Sequence, residues 1–278
     1  MFERLDRSLE LASASWRVLR DDKSLLLLPL LSGIALSLIL ISFAMPGLSD
    51  PQWAAMFKKY GTGPSPSARH YGLLFVMYLL EFLVMTFFNT ALAIVVIARS
   101  EGRALSIGQG LREAGSKLPD LLMYAILSAT LGMLLRSLDE RVPFAGRIAI
   151  RLFGAVWSLA TYLAIPVLAA ENVGPGEAVA RSTKLLRACW GEGAIGAVGL
   201  ATAAGALTTL VALIAIGMMF AGHRTLPGFA FGIVGIGAVA WVFTALDVIY
   251  RASLYRYARD GDAGKFDEHL LSGAFHEH

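Results

Sequence analysis

Apolar residues along the chain gather into six long blocks, at 25–45, 71–98, 118–135, 148–170, 194–221 and 228–257, parted by short polar stretches. A helix needs about 20 such residues to cross the hydrocarbon core of a bilayer. No water is present there to satisfy backbone N–H and C=O groups, so each block must form a helix, which bonds them internally. The pattern therefore predicts an all-α fold, a single-domain polytopic membrane bundle of six transmembrane helices. The first block is as long as a full span and follows 24 residues of mixed charge. It reads as a retained helix rather than a cleaved signal peptide, although "SFA" at 42–44 loosely resembles a cleavage site.

Between the blocks the pattern changes period. On a wheel of about 100° per residue, residues 177–190 place Ala178, Val179, Ser182, Thr183, Leu185, Leu186, Cys189 and Trp190 on one arc. Arg181, Lys184 and Arg187 share the opposite arc with Glu177. That is the signature of an amphipathic helix, here over 175–190. Pro175 suits its first turn, and Gly191 and Gly193 read as a left-handed cap or a bend at its end. A second such helix is predicted at 105–117, where Ser106 and Gln109 have capping-box spacing. There Ile107, Leu111, Ala114, Gly115 and Leu118 lie opposite Arg112, Glu113 and Lys117. A third, at 1–23, carries the stripe Phe2, Leu5, Leu9, Ala12, Trp16 and Leu19. Cations on one face and large apolar side chains on the other suit a helix lying in the headgroup layer. Arg181, Lys184, Arg187, Trp190 and Trp16 are accordingly the candidate membrane-interface residues.

Each amphipathic segment precedes a pair of spans, which predicts a unit of interfacial helix, span, loop and span repeated three times. Sequence echoes fall at equivalent places: "WRVLR", "SKLPD" and "TKLLR" before a span, and "LAIVVIARSEG" and "LAIPVLAAENVG" where the second and fourth spans end. All three units share one orientation, so their axis would run along the membrane normal.

Charge then fixes the orientation. The N-terminal segment, the second and fourth loops and the C-terminus together hold 16 of the 24 Lys and Arg residues. The positive-inside bias places that side, with both termini and the three amphipathic helices, in the cytoplasm of a bacterial inner membrane. The same distribution accounts for the net charge of +3 without a nucleic-acid partner. The single cysteine, Cys189, has no partner in the chain for a disulfide and builds no thiol-rich metal site.

Ionisable groups inside a span cost about 2.5 to 3.5 kcal/mol on insertion scales and are functional candidates for that reason. Glu81 lies deep in the second span, with Asn89 about two turns further in and Thr86 between them. Glu81 and Asn89 are candidate ligand-binding residues facing a cavity, together with Arg151. The alternative pairs Glu81 with Arg151 or Arg136 as a structural ion pair. Asp247 and Arg251, spaced i, i+4, are predicted to form an intrahelical pair near the inner boundary. Tyr250, Tyr255 and Tyr257 read as an interfacial aromatic belt. Gly228, Gly232, Gly235 and Gly237 let helices approach closely, either spans five and six or two copies of the chain. His70 and His223 fall in external loops and His269, His276 and His278 in the tail. No nucleophile elbow, Walker loop, zinc-protease pair or dinucleotide fingerprint occurs. The expectation is a non-enzymatic protein with no catalytic residue, metal or cofactor.

The closing "DVIYRASLYRYARDGDAGKFDEHLLSGAF" resembles the signature of an uncharacterised family of bacterial six-span membrane proteins, a domain-of-unknown-function family. "SWRVLRDDKSLLLLPLLSG" and "IARSEGRALSIGQGLREA" are similar to its other characteristic segments, through Trp16, Pro29, Gly102, Leu254, Tyr255, Tyr257, Phe266, Leu270 and Phe275. The cytoplasmic helix between spans is also distantly similar to the membrane domain attached to some glycerophosphodiester phosphodiesterases. The resemblance implies the six-span fold and no assigned activity. Two roles fit: binding or moving a lipid-like or small amphipathic ligand, with membrane lipids as partners; or a scaffold that forms a homo-oligomer or recruits a protein through its cytoplasmic helices and its tail, 259–278.

Overall fold

The computed structural model describes residues 15–47, 68–221 and 225–260, which are helical with short turns and contain no strand. A helical segment at 15–21 and a 3-10 turn at Lys23–Leu26 lead into α1 (Leu27–Gly47). Then come α2 (Ala68–Ser100), the short α3 (Ile107–Ser116), α4 (Leu118–Arg141), α5 (Phe144–Ala160), the short α6 (Ala164–Ala170), α7 (Pro175–Ala188), α8 (Trp190–Ala221) and α9 (Thr225–Asp260). Six stretches are long and apolar enough to cross a membrane: Lys23–Met45, Gly72–Ser100, Leu118–Asp139, Gly146–Ala170, Gly196–Phe220 and Thr225–Arg259. The chain is a multi-pass membrane protein. Phe2, Leu5, Leu9 and Ala12 of the predicted first helix, and the tail histidines, lie outside the described residues.

Local chemistry sets the helix boundaries. Ser106 caps α3 as its spacing predicts: the Gln109 amide donates to Ser106 Oγ at 3.3 Å and the Ser106 amide to Gln109 Oε1 at 2.8 Å. Gly102, two residues beyond α2, takes φ +78, a left-handed conformation that suits glycine at a helix end. Gly191 and Gly193 do not cap α7; they lie inside α8. The turn falls earlier, at Cys189, whose backbone leaves helical geometry at φ −117, ψ 28 while its thiol donates back to the Leu185 carbonyl at 3.3 Å. The fourth span is broken at 161–163, where the apolar pattern predicts a continuous helix. Pro166 supplies the cause, because its ring has no N–H and crowds the carbonyl four residues back, that of Tyr162.

Helix α2 is the centre of the bundle and packs against α1, α3, α4, α6 and α9. Residues 91–98 of α2 are all buried, as are Leu163, Ala164 and 166–169 around α6 and most of 245–255 on α9. The second, fourth and sixth spans thus meet at one end of the molecule. Two glycines let parts of this end close. A Cβ on Gly110 of α3 would strike Val95 of α2, and one on Gly196 of α8 would strike the Tyr250 ring of α9. Spans five and six form a close hairpin, as the glycine spacing predicts within one chain. A Cβ on Gly228 would lie 2.8 Å from the Ala215 carbonyl oxygen, and one on Gly235 2.6 Å from Val211 Cγ1, whereas Gly237 faces open space.

Candidate functional site

The ends of the three converging spans are joined by a continuous set of polar contacts. Glu171, just after α6, is its centre: Tyr255 donates its hydroxyl to Glu171 Oε1 at 2.8 Å, Arg181 pairs with Oε2, and Lys117 Nζ donates to the Glu171 carbonyl at 2.9 Å. These bonds tie α9, α7 and the start of α4 to the end of the fourth span. Glu101, just after α2, holds a matching position and pairs with Arg259 of α9 at 3.2 Å and Arg103 at 2.9 Å. Burial alone would raise its carboxyl, but the hydrogen bonds from Arg103 and Arg259 hold it below its usual range. Arg256 Nη1 donates to the Ser100 carbonyl at 2.7 Å, so a cation from α9 closes the open C-terminal end of α2. Arg99 pairs with Asp22 and donates to the Leu105 carbonyl at 2.9 Å, bringing in the turn that leads into α1.

Helix α7 lies across this end. Ala178, Ser182, Leu186 and Cys189 are buried, while Arg181, Lys184 and Arg187 are exposed. Arg181 is nevertheless engaged, with Glu177 one turn earlier at 3.0 Å as well as with Glu171, and those bonds raise its guanidinium above its usual range. It is a strut between α7 and the fourth span. Trp16 is 53% exposed beside buried Val18 and Leu19, and the Trp190 side chain lies outside the described ones. Tyr250 and Tyr255 do not form a surface belt: both are fully buried, Tyr250 against Gly196 and Tyr255 on Glu171, while Tyr257 is half-buried.

Helix α7 also repairs the broken span. Its Ser182 Oγ accepts the freed Leu163 amide at 2.9 Å, replacing a bond the helix itself no longer makes. Beside the break the Arg251 guanidinium lies 4.4 Å from the centre of the Tyr162 ring and pairs with Asp247 at 2.8 Å. The i, i+4 pair is formed as its spacing predicts, with Tyr162 as a third member. Tyr124 of α4 stands close by, next to Ser128 and Thr161, and its ring lies 6.0 Å from that of Phe82 on α2. Thr86 and Thr90, one and two turns beyond Phe82, are fully buried with hydroxyls that have no hydrogen-bond partner among the described residues.

Glu81, Asn89 and Arg151 are not gathered into one group. Glu81 is half-buried, and no hydrogen bond or ion pair joins it to another described residue. Asn89 is half-buried two turns further in, where the packing closes. Arg151 is 73% exposed and faces Asp139 of α4 at 3.8 Å. Sequence patterning passed over Glu101, Glu171 and Tyr162. The first two fall near the ends of the echoing segments "LAIVVIARSEG" and "LAIPVLAAENVG", and Tyr162 stands four residues before Pro166. Those were the available signals.

Residues 68–266 match a family described as a family of unknown function (DUF6159). The resembling segment "SWRVLRDDKSLLLLPLLSG" precedes that match, while "IARSEGRALSIGQGLREA" falls inside it. No curated protein and no solved structure matches the chain at a significant level.

Proposed function

The chain belongs to the DUF6159 family of unknown function, and we propose that it is a non-enzymatic protein of the bacterial inner membrane that binds or moves a lipid-like or small amphipathic ligand. One observation carries this reading: the molecule is sealed at its polar end and loosely packed towards the other. The described side chains of α5 and α8 are exposed or half-buried almost throughout, while Glu81 sits half-buried on the central helix with no partner among the described residues. Such a carboxyl would have little reason to remain at membrane depth as a packing element. It suits the polar part of a ligand whose apolar part lies between the spans.

In this reading the polar end faces the cytoplasm, and α3 and α7 are amphipathic interfacial helices that brace the seal. Lys184 and Arg187 then point to lipid headgroups, and Arg181 holds the brace in place. Glu101 and Glu171 support the threefold repeat, since each follows the end of a converging span and each is bound by a side chain from the last turns of α9.

Native mass spectrometry of the protein released from nanodiscs tests the proposal. Bound amphiphile is expected, with retention reduced in Glu81→Gln. Protein released bare, or only with a stoichiometric protein partner that is lost on deleting residues 259–278, would overturn it and favour a scaffold.

A further inference from the structure

Residues 136–151, which join the third and fourth spans, carry four arginines against two acids. In the orientation proposed above this is the outer end, where the positive-inside bias thins out Lys and Arg, yet half of the eight assigned to that side lie here. Two of them, Arg147 and Arg151, stand one turn apart on α5 and so share a face. Arg151 lies five residues inside a span that begins at Gly146, or about 8 Å along the axis at 1.5 Å per residue. Its side chain is 73% exposed, next to Leu152 at 62% and Phe153 at 53%. A guanidinium stays charged in a protein, and a charge held against acyl chains is costly.

Little within the protein meets that charge. Asp139 Oδ1 is 3.8 Å from Arg151 Nε, too far for a hydrogen bond, and has no hydrogen-bond partner among the described residues. Arg147 donates from Nε to the Val142 carbonyl at 3.2 Å, which leaves its two terminal nitrogens without a partner among the described residues. The long stem of Arg151 can carry its head outward to the headgroup layer, alongside Arg147. Two planar forks on adjacent turns then offer paired donors to the oxygens of one phosphate, the geometry to which arginine is suited. Leu138 on α4 and Ile148 and Leu152 on α5 are exposed nearby for contact with acyl chains. Charge selects among the lipids. A quaternary ammonium on the same headgroup would meet two cations and offset part of the gain, whereas an uncharged glycerol would not.

We propose that Arg147 and Arg151 seat the phosphate of an anionic phospholipid, in the leaflet at the end of the molecule opposite the polar seal. The seat goes beyond the amphiphile-binding reading and does not depend on it, because Glu81 lies on α2, with which α5 shares no substantial contact.

Titration of the purified protein in detergent with phosphatidylglycerol and phosphatidylcholine of the same acyl chains, read by native mass spectrometry, is the test. The wild type should bind phosphatidylglycerol about tenfold more tightly, and Arg151→Gln should cut that preference to about threefold. Arg147→Gln/Arg151→Gln should erase it. Glu81→Gln should leave it unchanged, as should Lys184→Gln/Arg187→Gln at the far end of the molecule. No preference in the wild type, or one that survives in the double arginine variant, would overturn the seat. So would a preference lost in Lys184→Gln/Arg187→Gln, or displacement of the lipid by excess inorganic phosphate, which would mark a site for a free anion. Unaltered lipid retention in Glu81→Gln would count against the amphiphile-binding reading alone. If the double arginine variant does not fold, the single variants at these two exposed positions decide the matter.

Discussion

Helix α2 passes through two different environments. Its first half, 72–85, alternates between exposed and half-buried positions, whereas residues 91–98 are all at 5% exposure or less. The fourth span divides the same way: α5 is largely exposed, with Leu152 at 62% and Val156 at 63%, while five of the seven residues of α6 are buried. Apolar surface gains little from leaving lipid for protein, so burial alone does not draw the spans together. What separates the two halves is the polar chemistry at one end. Glu101, Glu171, Arg181, Tyr255, Arg256 and Arg259 hold helix ends to one another there, and no comparable set joins described residues at the other end.

The largest effect expected from this contrast comes from overfilling the sealed half. Gly196→Leu has no room beside Tyr250 and should cost about 3 kcal/mol or more, at the upper end for overpacking, read as a lowered Tm in detergent. Removing the central carboxylate in Glu171→Ala leaves Tyr255 and Arg181 without their partner and should cost about 2 kcal/mol. Thr90→Val keeps the shape of a fully buried side chain and removes an unpaired hydroxyl, so it should raise stability by about 1 kcal/mol. A loss instead would mean that the hydroxyl finds a partner in another conformation. Leu213→Ala, at a position 61% exposed on α8, should change stability by no more than about 0.5 kcal/mol. A large loss there would show that the far half is covered by protein and not by lipid. Acid should have the smallest effect. Because the Glu101 carboxyl is held below its usual range, its contribution is complete above about pH 4.3 and fades as pH falls through the lower folded-state value. Being partly exposed, the pair is worth about 1 kcal/mol at most, and a Glu101→Gln variant should lose that acid dependence.

Hydropathy alone was enough to find the six spans, because the bilayer constrains length and composition so strongly. The wheel for residues 177–190 also sorted the buried side of α7 correctly at Ala178, Ser182, Leu186 and Cys189. It could not tell a solvated cation from a bonded one: Arg181 lies on the charged arc but reaches Glu171, ten residues earlier, across a turn the periodicity does not describe. The tyrosines near the end of α9 were misread for a related reason. An aromatic residue near a membrane boundary looks the same in sequence whether it faces headgroups or a glycine on the next helix. The break at 161–163 was half visible, since Pro166 marks it, but the compensating hydroxyl of Ser182 comes from a separate helix. Glu81 stood out as a charge in an apolar block. Its openness did not, because that depends on which neighbouring spans stay apart.

The indole N–H of Trp241 donates to the Leu26 carbonyl at 2.7 Å across 215 residues of chain. The bond joins the first turn of the first span to the middle of the last, so the bundle is completed only when the sixth span arrives. At synthesis rates of about 5 to 20 residues per second, the first span waits roughly 10 to 40 s in the membrane for that partner. During this interval the Leu26 carbonyl has only the first backbone bond of α1, and the indole adds a second. Assembly of the six spans therefore has an order, in which the sixth closes the first.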